Sequence, residues 1–132
     1  GLAVNSLPTR SQDRLHIHVD CLQPRVVAAL ARYGGRLGSN WTRFPVPLGG
    51  GRYYARAIGA NDLVARNPFR LVATGVPGAA RDMADMTLVV APITRAGGRT
   101  GFALIAANTE DGSHAMGENL LDHTCRIARD AG

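Results

Sequence analysis

His16 and His18 stand one residue apart in the stretch Leu15-His16-Ile17-His18-Val19-Asp20-Cys21-Leu22, and imidazoles so placed can attack an electrophile, carry a proton or bind a metal near neutral pH. An extended strand turns successive side chains to opposite faces, with alternate positions recurring roughly 6–7 Å apart on each. Leu15, Ile17 and Val19 are therefore expected in a core, and His16, His18 and Asp20 on a working face. A lone strand histidine is most simply an exposed polar residue. A His-x-His-x-Asp row is harder to explain that way and reads as a site.

The surrounding pattern predicts the elements that hold this row. Strands are expected at 2–5, at 14–21 and from Arg52 to Ile58, with a turn around Leu7-Pro8-Thr9. Pro24 suits a first helical turn, Val26, Val27, Leu30 and Ala31 recur at helical spacing, and Gly34-Gly35 stop the helix near Tyr33. The Gly- and Pro-rich stretch from Gly38 to Gly51 is expected to be a loop, and Asn61 to cap a short helical turn. Pro68 to Val76 fits strand or helix equally, and Pro77 to Met83 reads as helical. Met86 to Ala91 and Gly101 to Ala107 form a hairpin across Gly97-Gly98. From Ala115 to Ala128 the apolar residues fall at mostly helical spacing. The expectation is one α+β domain over 1–132 with a mainly antiparallel sheet and flanking helices. Leu2-Ala3-Val4 reads as a strand with no lead-in, so a preceding N-terminal portion is also expected.

At 132 residues, with 45% hydrophobic and 19% charged residues, the chain fits a single globular domain. Its 15 basic residues are all arginine and give a net charge of +5, which favours a phosphate-bearing substrate or an anionic surface. The arginines are scattered and aromatics are few, so nucleic acid is not an expected partner. Cys21 and Cys125 fit a mutual disulfide, bridges to cysteines outside this sequence, or two buried thiols.

Asn5-x6-Gln12-x3-His16-x-His18 resembles the histidine-triad superfamily of nucleotide hydrolases and transferases. Within it the chain is most similar to the bacterial CDP-diacylglycerol pyrophosphatases, through Leu2-Ala3-Val4-Asn5-Ser6, Arg10-Ser11-Gln12, Leu15-His16-Ile17-His18, Tyr54-Ala55-Arg56, Asn67-Pro68-Phe69 and Asp122-His123-x-Cys125. The resemblance implies a histidine-triad-like fold and hydrolysis of CDP-diacylglycerol to CMP and phosphatidate. It places His18 as the nucleophile and His16 as its support and candidate proton donor, with Asn5, Arg10, Ser11, Gln12, Asp20 and Arg56 binding substrate and no cofactor required. Asp20 stands where the triad has its third histidine, so that histidine's role does not carry over. The resemblance further implies a longer parent, anchored at the extracytoplasmic face of a bacterial inner membrane, and oxidised cysteines.

Two rivals follow from the same residues. His16, His18 and Asp20 also resemble the first ligand cluster of zinc-dependent metallohydrolases, but Cys21 occupies the place where that motif has another histidine. The remaining histidines are weak ligand candidates: His114 lies in a Gly/Ser/Asp-rich loop and is expected to be exposed, and His123 falls in the expected terminal helix, packed or as a helix-end charge. A non-catalytic nucleotide- or lipid-headgroup-binding module ranks third, because the nucleophile position is intact.

Overall fold

The computed structural model describes residues 1–4, 17–110, 112 and 114–131. In chain order the elements are β1 (Leu2–Val4), β2 (Ile17–Val19), β3 (Cys21–Leu22), α1 (Pro24–Tyr33), β4 (Thr42–Arg43), β5 (Tyr54–Gly59), α2 (Ala60–Ala65), α3 (Pro68–Gly75), β6 (Met86–Thr94), β7 (Thr100–Asn108), β8 (Leu121–Asp122) and α4 (Arg126–Ala131). Short 3-10 turns occupy Gly34–Arg36, Ala79–Arg81, Met83–Asp85, Ala96–Gly98 and Gly117–Leu120. Six strands form one antiparallel sheet in the order β2-β1-β6-β7-β5-β4, and β3 pairs with β8 separately. The fold is α+β, as expected.

The centre of the sheet is the β6–β7 hairpin, registered from Met86 opposite Asn108 to Thr94 opposite Thr100. Its turn needs two left-handed residues, supplied by Gly97 (φ 81°) and Gly98 (φ 76°). Alternation along these strands loads both faces of the sheet. Ala55, Ala57, Val89, Ala91 and Ile105 join Ala3 in a core closed by Val26 and Leu30 of α1 and by Leu120 and Leu121. Ile58, Leu88, Leu104 and Ala106 pack on the other face against Leu71 and Val72 of α3. Each fully buried Leu or Val on these faces contributes about 1.5–3 kcal/mol.

The ambiguous stretch before Val76 is helical because Asn67 accepts the Phe69 N–H (2.9 Å) as its cap and Pro68 sits in the first turn. Four expectations need correction. The residue capping α2 is Gly59, and Asn61 lies inside that helix. The Gly38–Gly51 stretch contains β4, and the helix read at Pro77–Met83 is reduced to 3-10 turns. The fourth is the terminal stretch from Ala115, which becomes a 3-10 turn, a two-residue strand and a short helix.

Val19 also departs from expectation: it is 74% exposed. Leu2 is opposite Val19 in the ladder and Ala3 is opposite His18. Ala3 and Val4 lie on opposite phases of β1 and both are buried, so the exposure of Val19 comes from its place at the edge of the sheet and not from its phase. Nothing covers it there among the described residues, and Val19 faces solvent.

Candidate functional site

Among the described residues β2 is an edge strand whose partner is β1, so positions 18 and 20 lie at the rim of the sheet. The ladder continues one residue past Val19, where the Asp20 N–H donates to the Gly1 carbonyl at 3.0 Å. Positions 18 and 20 therefore share one pleat phase, that of Ala3. Asn5, Arg10, Ser11, Gln12 and His16 lie outside the described residues, as does the side chain of His18.

The segment after Ala115 runs against this same part of the sheet. The Tyr53 hydroxyl accepts the Met116 N–H at 3.0 Å, and burial pushes this phenol up to about 12. The Gly117 N–H donates to Thr87 Oγ1 at 2.9 Å, while that hydroxyl donates to the Val4 carbonyl at 2.9 Å. Only glycine allows the approach: a Cβ at 117 would stand 2.6 Å from Thr87 Oγ1 and 2.9 Å from Val89 Cγ2. The chain then pairs Leu121 and Asp122 with Leu22 and Cys21.

Asp122 forms the next corner. Its nearly buried carboxylate accepts from Thr124 N–H (3.0 Å), Thr124 Oγ1 (2.7 Å), Arg126 N–H (3.1 Å) and Arg126 Nε (3.0 Å). The Thr124 hydroxyl and the Arg126 donors hold this acid well below the usual carboxylate range. The corner points His123 outward, its side chain 60% exposed, and a disulfide from Cys125 to Cys21 fixes the exit.

His123 Nδ1 meets Asp20 Oδ2 in a short contact. The other Asp20 oxygen accepts the Cys21 N–H at 2.9 Å. The hydrogen bonds from His123 and then Cys21 hold Asp20 below its ordinary value, and the Asp20 hydrogen bond raises His123 above its own. Glu118 Oε1 stands 3.7 Å from His123 Nε2 and raises the imidazole further. The pair can hold an imidazole in one orientation and pass protons through Nε2.

His123 was expected in a helix; it lies in the turn ahead of α4. The signal that could have found it was Asp122-His123-x-Cys125 itself, since a bridge from Cys125 to Cys21 carries His123 to the residue beside Cys21. His114 is exposed, as expected. Arg56 is set apart from the row: it sits in β5 between Tyr54 and Ile58 on the α3 side of the sheet and is 7% exposed. Its Nε donates to the Ala57 carbonyl at 3.3 Å, and burial lowers its pKa. Among the described residues, the one cluster of metal-ligand types is Asp20, Cys21 and Cys125. Both of its sulfurs are bonded to each other, so it offers no thiolate.

Fold and site together define an α+β domain in which His123, from the chain's far end, pairs with Asp20 just past a strand at the rim of the sheet. The profile of the family described as CDP-diacylglycerol pyrophosphatase matches residues 1–129, and the chain belongs to that family. It is 37% identical over 132 residues to a CDP-diacylglycerol pyrophosphatase from Yersinia pestis, an alignment covering 96% of this chain and 48% of that protein. The chain thus spans about half the length of the curated relative it matches.

Proposed function

We propose that this domain carries the hydrolytic centre of a histidine-triad-like enzyme that cleaves CDP-diacylglycerol to CMP and phosphatidate. The observation that carries this reading is the family match, which runs through His16-x-His18-x-Asp20. A neutral His18 imidazole attacks the phosphorus bearing cytidine; an N–P bond forms, and the P–O bond to phosphatidate breaks with its electron pair leaving on phosphatidate. His16 supports the nucleophile. Asn5, Arg10, Ser11, Gln12 and neighbouring backbone amides hold the phosphate oxygens as charge builds on them. Arg56, buried on the α3 side, is left out of that set. The Cys21–Cys125 disulfide supports an oxidising compartment, hence the extracytoplasmic side of the membrane that holds the substrate.

The test is to incubate the full-length protein with cytidine-labelled CDP-diacylglycerol. CMP, phosphatidate and a labelled peptide containing His18 are expected, and His18→Ala should abolish turnover. Gln12→Ala should lower the rate by roughly ten- to a thousandfold, the range for losing one such donor. If exhaustive chelation stops the wild type while Gln12→Ala has no effect, the histidines are metal ligands and zinc hydrolysis replaces this mechanism.

A further inference from the structure

The mechanism above leaves its second half without a base. Release of CMP needs water to attack the cytidylyl phosphorus, and that water must lose a proton as it does so. Positions 18 and 20 are two steps apart on one pleat phase, a spacing of roughly 6–7 Å, and the Asp20 carboxylate holds His123 by Nδ1. The ring is fixed from both ends of the chain. Asp20 grips it from the strand, while the Asp122 corner and the Cys21–Cys125 bridge set the backbone on either side of it. An imidazole whose Nδ1–H is occupied by a carboxylate presents Nε2 as its acceptor. The side chain is 60% exposed, which leaves this Nε2 open to water, with Glu118 Oε1 3.7 Å away.

We propose that His123, oriented by Asp20, is the general base for hydrolysis of the nucleotidyl-enzyme. The proposal rests on the nucleotidyl-His18 reading given above. In the step, a water oxygen forms a bond to the cytidylyl phosphorus, and the P–N bond to His18 breaks with its electron pair returning to the imidazole nitrogen. The water proton passes to Nε2 of His123 and from there to solvent; Nδ1 keeps its proton throughout. Asp20 is a positioning residue in this scheme. Among the described residues, the charged groups near the ring include Asp20 before β3, Glu118 in the 3-10 turn, and Asp122 in β8, which is paired with Arg126 in α4.

A base that serves only the second step has a kinetic signature that damage to the fold lacks. In full-length His123→Gln, the first turnover should still release about one phosphatidate per enzyme quickly. CMP release should fall by roughly a hundredfold or more, the usual contribution of a general base, and the cytidylylated protein should accumulate. Asp20→Asn should show the same pattern more weakly. Imidazole added to His123→Gly should speed release of CMP from the trapped intermediate. If phosphatidate and CMP release slow together in both His123→Gln and Asp20→Asn, with no accumulation and no rescue, His123 is structural and the proposal is overturned, while nucleotidyl transfer to His18 stands. If His18→Ala turns over at the wild-type rate, the covalent reading falls and takes this proposal with it.

Discussion

Asp20 and His123 stabilise one another's charged forms, and the direction of each shift fixes where on the pH scale that stabilisation acts. His123 is raised above 6.5 in the folded protein, chiefly by its hydrogen bond to Asp20, so its contribution is complete below 6.5 and disappears as pH rises through the folded value. Asp20 is lowered from 3.8, chiefly by His123, so its contribution is present above that value and disappears as pH falls through the folded one. Both act together between about 4 and 6.5. The difference in melting temperature between wild type and His123→Gln should peak there and shrink toward alkaline pH. It should also shrink at high salt, because the imidazole is open to water. A thermal series from pH 4 to 9 at two ionic strengths checks this; a difference flat in pH would mean the contact carries no charge-dependent stability.

At the scale of elements, local signals were legible where local physics decides. Pro24 with Val26 and Leu30 specified α1 at its observed bounds, and Gly97-Gly98 specified the hairpin turn. The terminal stretch was misread because Met116, Leu120, Leu121, Cys125 and Ile127 mimic a helical stripe. Tertiary contacts override it: Gly117 must lie against Thr87, Leu121 and Asp122 must pair with β3, and the Asp122 carboxylate must cap α4. The row itself is visible as a pattern, but the exposure of Val19 is not, since it depends on where β2 falls in the order of the sheet, a long-range property. Gly117→Ala tests which contact dominates. Its Cβ would collide with Thr87 Oγ1 and Val89 Cγ2, forcing the backbone away and stretching the Gly117–Thr87 hydrogen bond. The expected cost is about 1–3 kcal/mol in urea unfolding. CMP release should slow as well, because the same segment carries His123; full stability in the alanine variant would show that the segment has room to shift.

Over the whole molecule, the Cys21–Cys125 disulfide joins residues 104 apart in sequence. Composition left several pairings open, because cysteine spacing alone does not say which residues the fold brings together. The structure brings this pair together through the short β3–β8 ladder, in which Cys21 lies opposite Asp122. A two-residue ladder is a weak clamp on its own. Closing a loop of that size removes about 4–5 kcal/mol of unfolded-chain entropy in the loop-closure description, a large fraction of the 5–15 kcal/mol by which a domain is usually stable. Reduction should therefore lower unfolding free energy by several kcal/mol, and Cys21→Ser should match Cys125→Ser because either removes the same bond. The loss should reach the site as well as the stability. With the bridge gone, the backbone two residues after His123 is no longer tied to the residue after Asp20, so the reduced protein should accumulate nucleotidyl-enzyme as His123→Gln does. Denaturation of oxidised and reduced protein, combined with a quench assay for the intermediate, measures both effects. If thiol titration of the native protein finds both cysteines free and reactive, the bridge is absent in solution, and neither the stability gain nor the tether it provides can be claimed.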